Sequence, residues 1–256
     1  YDVELAIGHD ERIADTRIVM RNLASAYTDL EDYRSAASVL EHVLTGVNAT
    51  SPGSLEAAKT MIALARAHHD LDDDYELTKQ LYLDGLAIDE AQLDRDDPII
   101  LDAAEWLASL YWTHKDYKLA RDAYKKVLEI RERGPRNDEL ASAYTDLGVV
   151  EDKLDDTATA LMHLDLSLTI HRENKSPDNK AIITVLQWVV DARLARKEFA
   201  EADKAANEAV MLAGAVYGGT SPDARAVVDE LADNYTEHKQ AKRAKALRAR
   251  AAKLLH

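Results

Sequence analysis

The chain has 256 residues, 46% of them hydrophobic, and its 47 acidic and 32 basic side chains leave a net charge of −15. That apolar content can fill a continuous core, which excludes general disorder, and the negative charge opposes non-specific binding to nucleic acid or anionic membrane, both polyanions. Cysteine is absent, which excludes disulfides, thiol nucleophiles and thiolate metal sites but chooses no compartment.

Only 9 Gly and 5 Pro accompany abundant Ala, Leu, Asp, Glu and Lys, and this predicts an all-helical protein. No apolar run approaches the ~18 residues of a membrane span. The charge is uneven: residues 1–128 carry 25 acidic and 13 basic side chains, residues 129–256 carry 22 and 19.

In chain order, Tyr1–Ile7 ends in Leu-Ala-Ile, as does a later segment at Leu86-Ala87-Ile88. Residues 1–15 therefore read as the tail of a preceding helix plus a linker, with a further unit expected upstream. Six units follow, over residues 16–50, 51–97, 98–134, 135–176, 177–221 and 222–256. The third is the clearest. In Leu107–Leu128, apolar and small residues recur at helical spacing through Leu107, Ala108 and Tyr111. They resume through Ala120, Tyr124, Val127 and Leu128, across a polar turn at His114-Lys115-Asp116. The pattern predicts two amphipathic helices folded back on each other, with Ala108 and Ala120 where the backbones come closest.

The first anchors of the six units, Leu23, Leu64, Leu107, Leu147, Val189 and Leu231, are spaced by 41, 43, 40, 42 and 42 residues. A period in this range is the signature of a solenoid. All five prolines fall between one unit's second helix and the next unit's first, and four follow Ser or Asp, a helix-start signal.

The order Leu-Ala-x-x-Tyr, then Tyr-x-x-Ala-x-x-x-Tyr-x-x-Val-Leu, resembles the tetratricopeptide repeat. The unit exceeds the usual ~34 residues and is similar to the longer repeats of kinesin light chain. The resemblance implies a right-handed α-solenoid of about six helix hairpins, in which first helices line a concave groove and second helices form the outer wall. Carried over residue by residue, the groove positions are Arg21, Ser25 and Thr28; Lys59, Ile62, Arg66 and His69; Asp102, Glu105, Ser109 and Trp112. Thr145, Val149, Asp152, Gln187, Asp191, Asp229 and Asp233 continue them. The groove is expected to run from basic to acidic. Its basic-aromatic N-terminal part suits a protein segment bearing acidic residues and one bulky apolar anchor, seated near Trp112 and Ile62. Trp106 and Trp188 share a repeat position and are expected in the core.

The kinesin light chain Asn-Leu-Ala ladder is matched only at Asn22-Leu23-Ala24; Ala63, Trp106, Asp146, Trp188 and Glu230 stand in place of Asn22. Ser25 occupies the position of the first Asn of the carboxylate clamp, so neither specialised recognition mode is expected.

No chemistry-bearing motif is present. His68-His69 is an adjacent pair whose side chains diverge on a helix. The Asp70–Glu76 turn lacks the spaced oxygens of a calcium loop, and no phosphate loop or nucleophile elbow occurs. Neither cofactor, metal site nor enzymatic activity is expected. Residues 238–256 form the one strongly basic segment, including Lys242, Arg243, Lys245, Arg248 and Arg250. A polar cap on the last repeat is the favoured reading, and an electrostatic dock for an acidic partner or a second copy is the other. The sequence thus predicts a non-catalytic protein-interaction scaffold. The alternative is a structural or oligomerisation module of a larger assembly, using its ends and the basic helix.

Overall fold

The computed structural model describes residues 2–174 and 177–254, with side chains from residue 16 onward. Among the described residues there are twelve α-helices and no strand. The backbone forms two compact units, Tyr1–His114 and Lys115–His256. The first contains α1 (Asp2–Asp29), α2 (Tyr33–Thr50), α3 (Leu55–Leu71), α4 (Tyr75–Gln92) and α5 (Pro98–Thr113). The second contains α6 (Tyr117–Arg131), α7 (Asp138–Lys153), α8 (Thr157–Glu173), α9 (Asn179–Ala195), α10 (Phe199–Tyr217), α11 (Pro222–Glu237) and α12 (Ala241–Leu254).

Helix starts follow the capping residues. Asp32, Ser54, Asp74, Asp97, Asn137, Asp156, Asp178 and Ser221 each accept a hydrogen bond from a backbone N–H of the first turn, filling donors that have no partner within the helix. Pro98 and Pro222 open α5 and α11, where a missing N–H costs nothing. One expectation fails. Residues 2–29 form a single helix rather than a helix tail, a linker and a new start. No proline precedes Pro52 to stop it.

The turn inside each hairpin is built the same way. The residue eight positions after each anchor is left-handed in all six: Glu31, Asp72, Lys115, Asp155, Lys197 and Lys239, with φ from 50° to 63°. The next residue's N–H reaches back five positions to a carbonyl, as Asp32 does to Tyr27 at 2.9 Å, Asp156 to Glu151 at 2.9 Å and Gln240 to Tyr235 at 2.7 Å. This is a Schellman closure made without glycine, at a local cost of roughly 1–2 kcal/mol per turn.

Small residues set how closely the paired helices approach. Ala24, Ala65 and Ala232, one position after their anchors, are fully buried, as are Ala36, Ala160 and Ala202 on the second helices. At two positions even a methyl group has no room. A Cβ on Gly85 would stand 2.8 Å from Ile62 Cγ1, and one on Gly148 would stand 3.0 Å from the Ala160 carbonyl oxygen. Within the first unit α2 packs on α3 and α4 on α5, and first helices α3 and α5 touch directly. In the second unit α7, α9 and α11 are neighbours in the same way. Successive first helices therefore present one continuous inner face in each unit.

Candidate functional site

The inner face of the first unit is hollowed into a cleft of about 740 Å³. Arg21, Asn22, Ser25, Thr28 and Asp29 of α1 form one side, and Lys59, Ala63, Arg66 and Asp70 of α3 form the floor. Trp106 of α5 closes the far end, while Tyr33 and Leu40 of α2 supply apolar surface beneath α1.

Of the residues expected in the groove, Arg21, Ser25, Lys59 and Arg66 meet here, joined by Thr28. Others stand elsewhere. Ile62 is buried, because side-chain-free Gly85 draws α4 against α3 and Ile62 fills the contact instead of facing a ligand. His69 lies behind Trp106, edge-on to it at 5.7 Å and edge-on to Tyr82 at 6.5 Å. Its imidazole pKa is pushed down by burial, with a smaller contribution from His114, against opposing pulls from Asp70 and Asp72. Glu105, Ser109 and Trp112 are half-buried along α5 but are not among the residues lining the cleft. Asp152 belongs to the second unit, where burial first and Asp191 second raise its carboxyl pKa. Beside it, Asp191 hydrogen-bonds His238 at 2.8 Å.

Trp106 is the lining residue that sequence reasoning misplaced. It was expected in the core, yet it is half-buried at the cleft end with the Arg66 guanidinium 4.4 Å from its ring centroid. Trp188, at the same repeat position, likewise carries a cation, with Lys153 Nζ 5.4 Å from its ring. The usable signal was positional. Asn22, Ala63 and Trp106, the residues just before three successive anchors, all line the cleft.

The electrostatics are more balanced than the sequence implied. Three cations line the cleft with two carboxylates, Asp29 and Asp70. Arg21 is already bound to Glu56 at 2.8 Å, and Arg66 pairs with Asp102 at 3.4 Å. Both are groove cations facing acids on the next first helix. Lys59 is exposed and has no ion-pair partner among the described residues.

The basic C-terminal helix is also largely engaged. Arg243 pairs with Asp203 and lies over Phe199, and Arg248 bridges Asp229 and Asp233 at 3.2 Å each. Arg250 is half-buried, leaving Lys242, Lys245 and Lys253 of this helix as exposed cations outside these pairs. Among the described residues no group of three His, Asp or Glu side chains is placed to hold a metal ion. No described helix is long and apolar enough to cross a membrane.

Residues 99–173 match the family model described as "Tetratricopeptide repeat". The fold is that of a tetratricopeptide-repeat solenoid. No curated protein matches the chain in sequence. Among solved structures it is similar to BtubC (BKLC) from P. vanneervenii, with 18% identity over 84% of this chain and 86% of that one, at a TM-score of 0.68. A Podosopora anserina protein of nearly identical repeats, assigned to the kinesin light chains, is 16% identical over 77% and 94%, with a TM-score of 0.67. The Pyrococcus horikoshii STAND signal-transduction ATPase with a tetratricopeptide repeat sensor gives 0.72 at 15% identity; 92% of this chain matches 35% of that one. Such likeness shows the fold. The cleft of this chain lies on the face to which α1, α3 and α5 contribute.

Proposed function

We propose that the chain is a non-catalytic protein-interaction scaffold and that the cleft of its first unit holds an extended protein segment. The observation that carries this reading is Trp106, a large aromatic left partly exposed at the end of a cleft that mixes polar groups with the apolar surface of Tyr33, Leu40 and three alanines. An indole braced by the Arg66 guanidinium offers apolar surface to one bulky side chain, and aromatic anchors in pockets dominate many interfaces. Lys59 supplies the free cation for a carboxylate on the same segment, while Ser25, Thr28 and Asn22 offer hydrogen bonds to its backbone. Because Arg21 and Arg66 already have partners, charge steers the segment less than the arginine count alone would imply.

Lys59 also provides the test. Amine-reactive cross-linking in the native source, followed by mass spectrometry, should join partner peptides to Lys59, and the Trp106→Ala variant should lose those adducts. Adducts confined to second-unit lysines, or unchanged in the variant, would remove the cleft from the account. The alternative, a structural module assembling through its ends and basic helix, draws little from α12, whose Arg243 and Arg248 are held by the chain's own aspartates.

A further inference from the structure

Tyr82 and Tyr235 are both fully buried, yet their hydroxyls are treated differently. Tyr235 donates to Asp203 at 2.7 Å, whereas the buried Tyr82 hydroxyl has no hydrogen-bond partner among the described residues. His69, whose ring is edge-on to Tyr82 at 6.5 Å, has a buried Nδ1 that is unpartnered as well. Burying one unpaired polar group is costly, and two on adjoining rings call for a group that pairs with both.

The two atoms stand at the Trp106 end of the cleft. Tyr82 is the eighth residue of α4, as Leu40 is of α2, and Leu40 reaches the cleft from beneath α1. Burial pushes the Tyr82 hydroxyl pKa up, and Arg66, Asp70 and Asp102 stand near enough to act on it too. Of these, Arg66 and Asp70 line the cleft. Trp106 is the cover. It meets Arg66 and His69 through its ring, at 4.4 and 5.7 Å, and its N–H has no hydrogen-bond partner among the described residues.

We infer that the Trp106 end of the cleft is a subsite for a carboxamide side chain, Gln or Asn, of the bound segment, paired with Tyr82 Oη and His69 Nδ1 as the indole edge lifts from His69. This rests on the reading of the cleft as a segment site. The ligand chemistry follows from what the two atoms demand. Burial pushes the His69 pKa down, which favours the neutral ring, whose Nδ1 accepts or donates according to tautomer. The hydroxyl does either. A carboxamide carries one acceptor oxygen and one donor nitrogen in a plane, and turns over to match either arrangement. A carboxylate brings acceptors only and meets Asp70 and Asp102, while an ammonium brings donors only and meets Arg66. An aliphatic side chain would leave both atoms unpaired.

The test begins with the free chain. Tyr82→Phe removes an unpaired hydroxyl and opens no cavity, so its Tm should equal or exceed the parent's, whereas Tyr235→Phe should fall below it. A Tm well below the parent's would show the Tyr82 hydroxyl to be partnered within the chain and overturn the inference. Peptides are then selected from a displayed library on the intact parent. They should share a Gln or Asn at one position, and the enriched peptide, titrated calorimetrically, should bind Tyr82→Phe about fivefold or more weakly. The same peptide with that residue changed to Met or Leu should bind both chains alike. Equal affinity of the enriched peptide for the parent and Tyr82→Phe, or no shared carboxamide, overturns the inference. If Trp106→Ala still weakens binding in that case, the segment site itself stands. Undiminished binding to Trp106→Ala, or a library that enriches nothing, overturns both.

Discussion

Gly85 sits in the middle of α4, where a glycine is unfavourable in its own right, so its replacement sets two effects of opposite sign against each other. Alanine in a helix interior is favoured over glycine by about 1 kcal/mol. The new Cβ would stand 2.8 Å from Ile62 Cγ1 and 3.2 Å from the Ala58 carbonyl oxygen. Neither neighbour yields easily, since Cγ1 is one bond from the Ile62 Cβ and the oxygen is main chain. Overpacking of this kind costs roughly 1–3 kcal/mol, and the rigidity of both neighbours places Gly85→Ala in the upper part of that range. The net expectation is a loss of about 1–2 kcal/mol, or a few degrees in Tm for a chain of this size. Gly46, within α2, has no atom within 4 Å of the place a Cβ would take, so Gly46→Ala should gain up to about 1 kcal/mol. Thermal and urea melts followed by far-UV circular dichroism compare the two. If Gly85→Ala melts at or above the parent temperature while Gly46→Ala gains, the close approach of α3 and α4 is wrong, and so is the burial of Ile62.

Three further outcomes follow from other contacts. Tyr235 is fully buried and donates its hydroxyl to Asp203 at 2.7 Å, so Tyr235→Phe should lower stability by about 1 kcal/mol in a urea melt. Ser54 caps α3 through Ala57 N–H at 3.2 Å, and Ser54→Ala should cost a similar ~1 kcal/mol, read the same way. Asp152 has a pKa raised above the ordinary 3.8, by burial first and Asp191 second, so the folded chain binds this proton more tightly than the unfolded one. Stability from this group is therefore present at low pH and lost as pH rises from 3.8 through the raised value. Asp152→Asn should accordingly be the more stable form at neutral pH, with the gap closing below the ordinary aspartate value. A variant less stable than the parent at pH 7 would reverse that sign.

Much of the fold was legible in the sequence because its determinants are local. The anchor period, the Asp97-Pro98 and Ser221-Pro222 starts and the alanines at close approaches each act within one hairpin, whereas after Pro52 and Pro177 the helix begins only behind the later caps Ser54 and Asp178. The turns were less legible, since the left-handed residues are Glu, Asp and Lys rather than glycine and only their shared distance from the anchor betrays them. For the cleft, Arg21, Ser25, Lys59 and Arg66 came from repeat position alone. Ile62 and Trp106 did not, because each is decided by a side-chain contact with another helix that repeat position does not reveal. Gly85 removes Ile62 from the inner face, and Arg66 holds Trp106 upon it. The expected basic character failed for the same reason. Glu56 and Asp102, from later hairpins, neutralise Arg21 and Arg66.

We propose that the first unit's cleft grips a protein segment through Trp106. Selecting peptides from a displayed library on the intact chain, then titrating the enriched peptide calorimetrically against Trp106→Ala and Trp112→Ala, tests it most directly. Trp106→Ala should weaken binding at least tenfold, a loss of about 1.4 kcal/mol, and Trp112→Ala should leave it unchanged. Equal affinity for the parent and Trp106→Ala, or a loss only in Trp112→Ala, would contradict it.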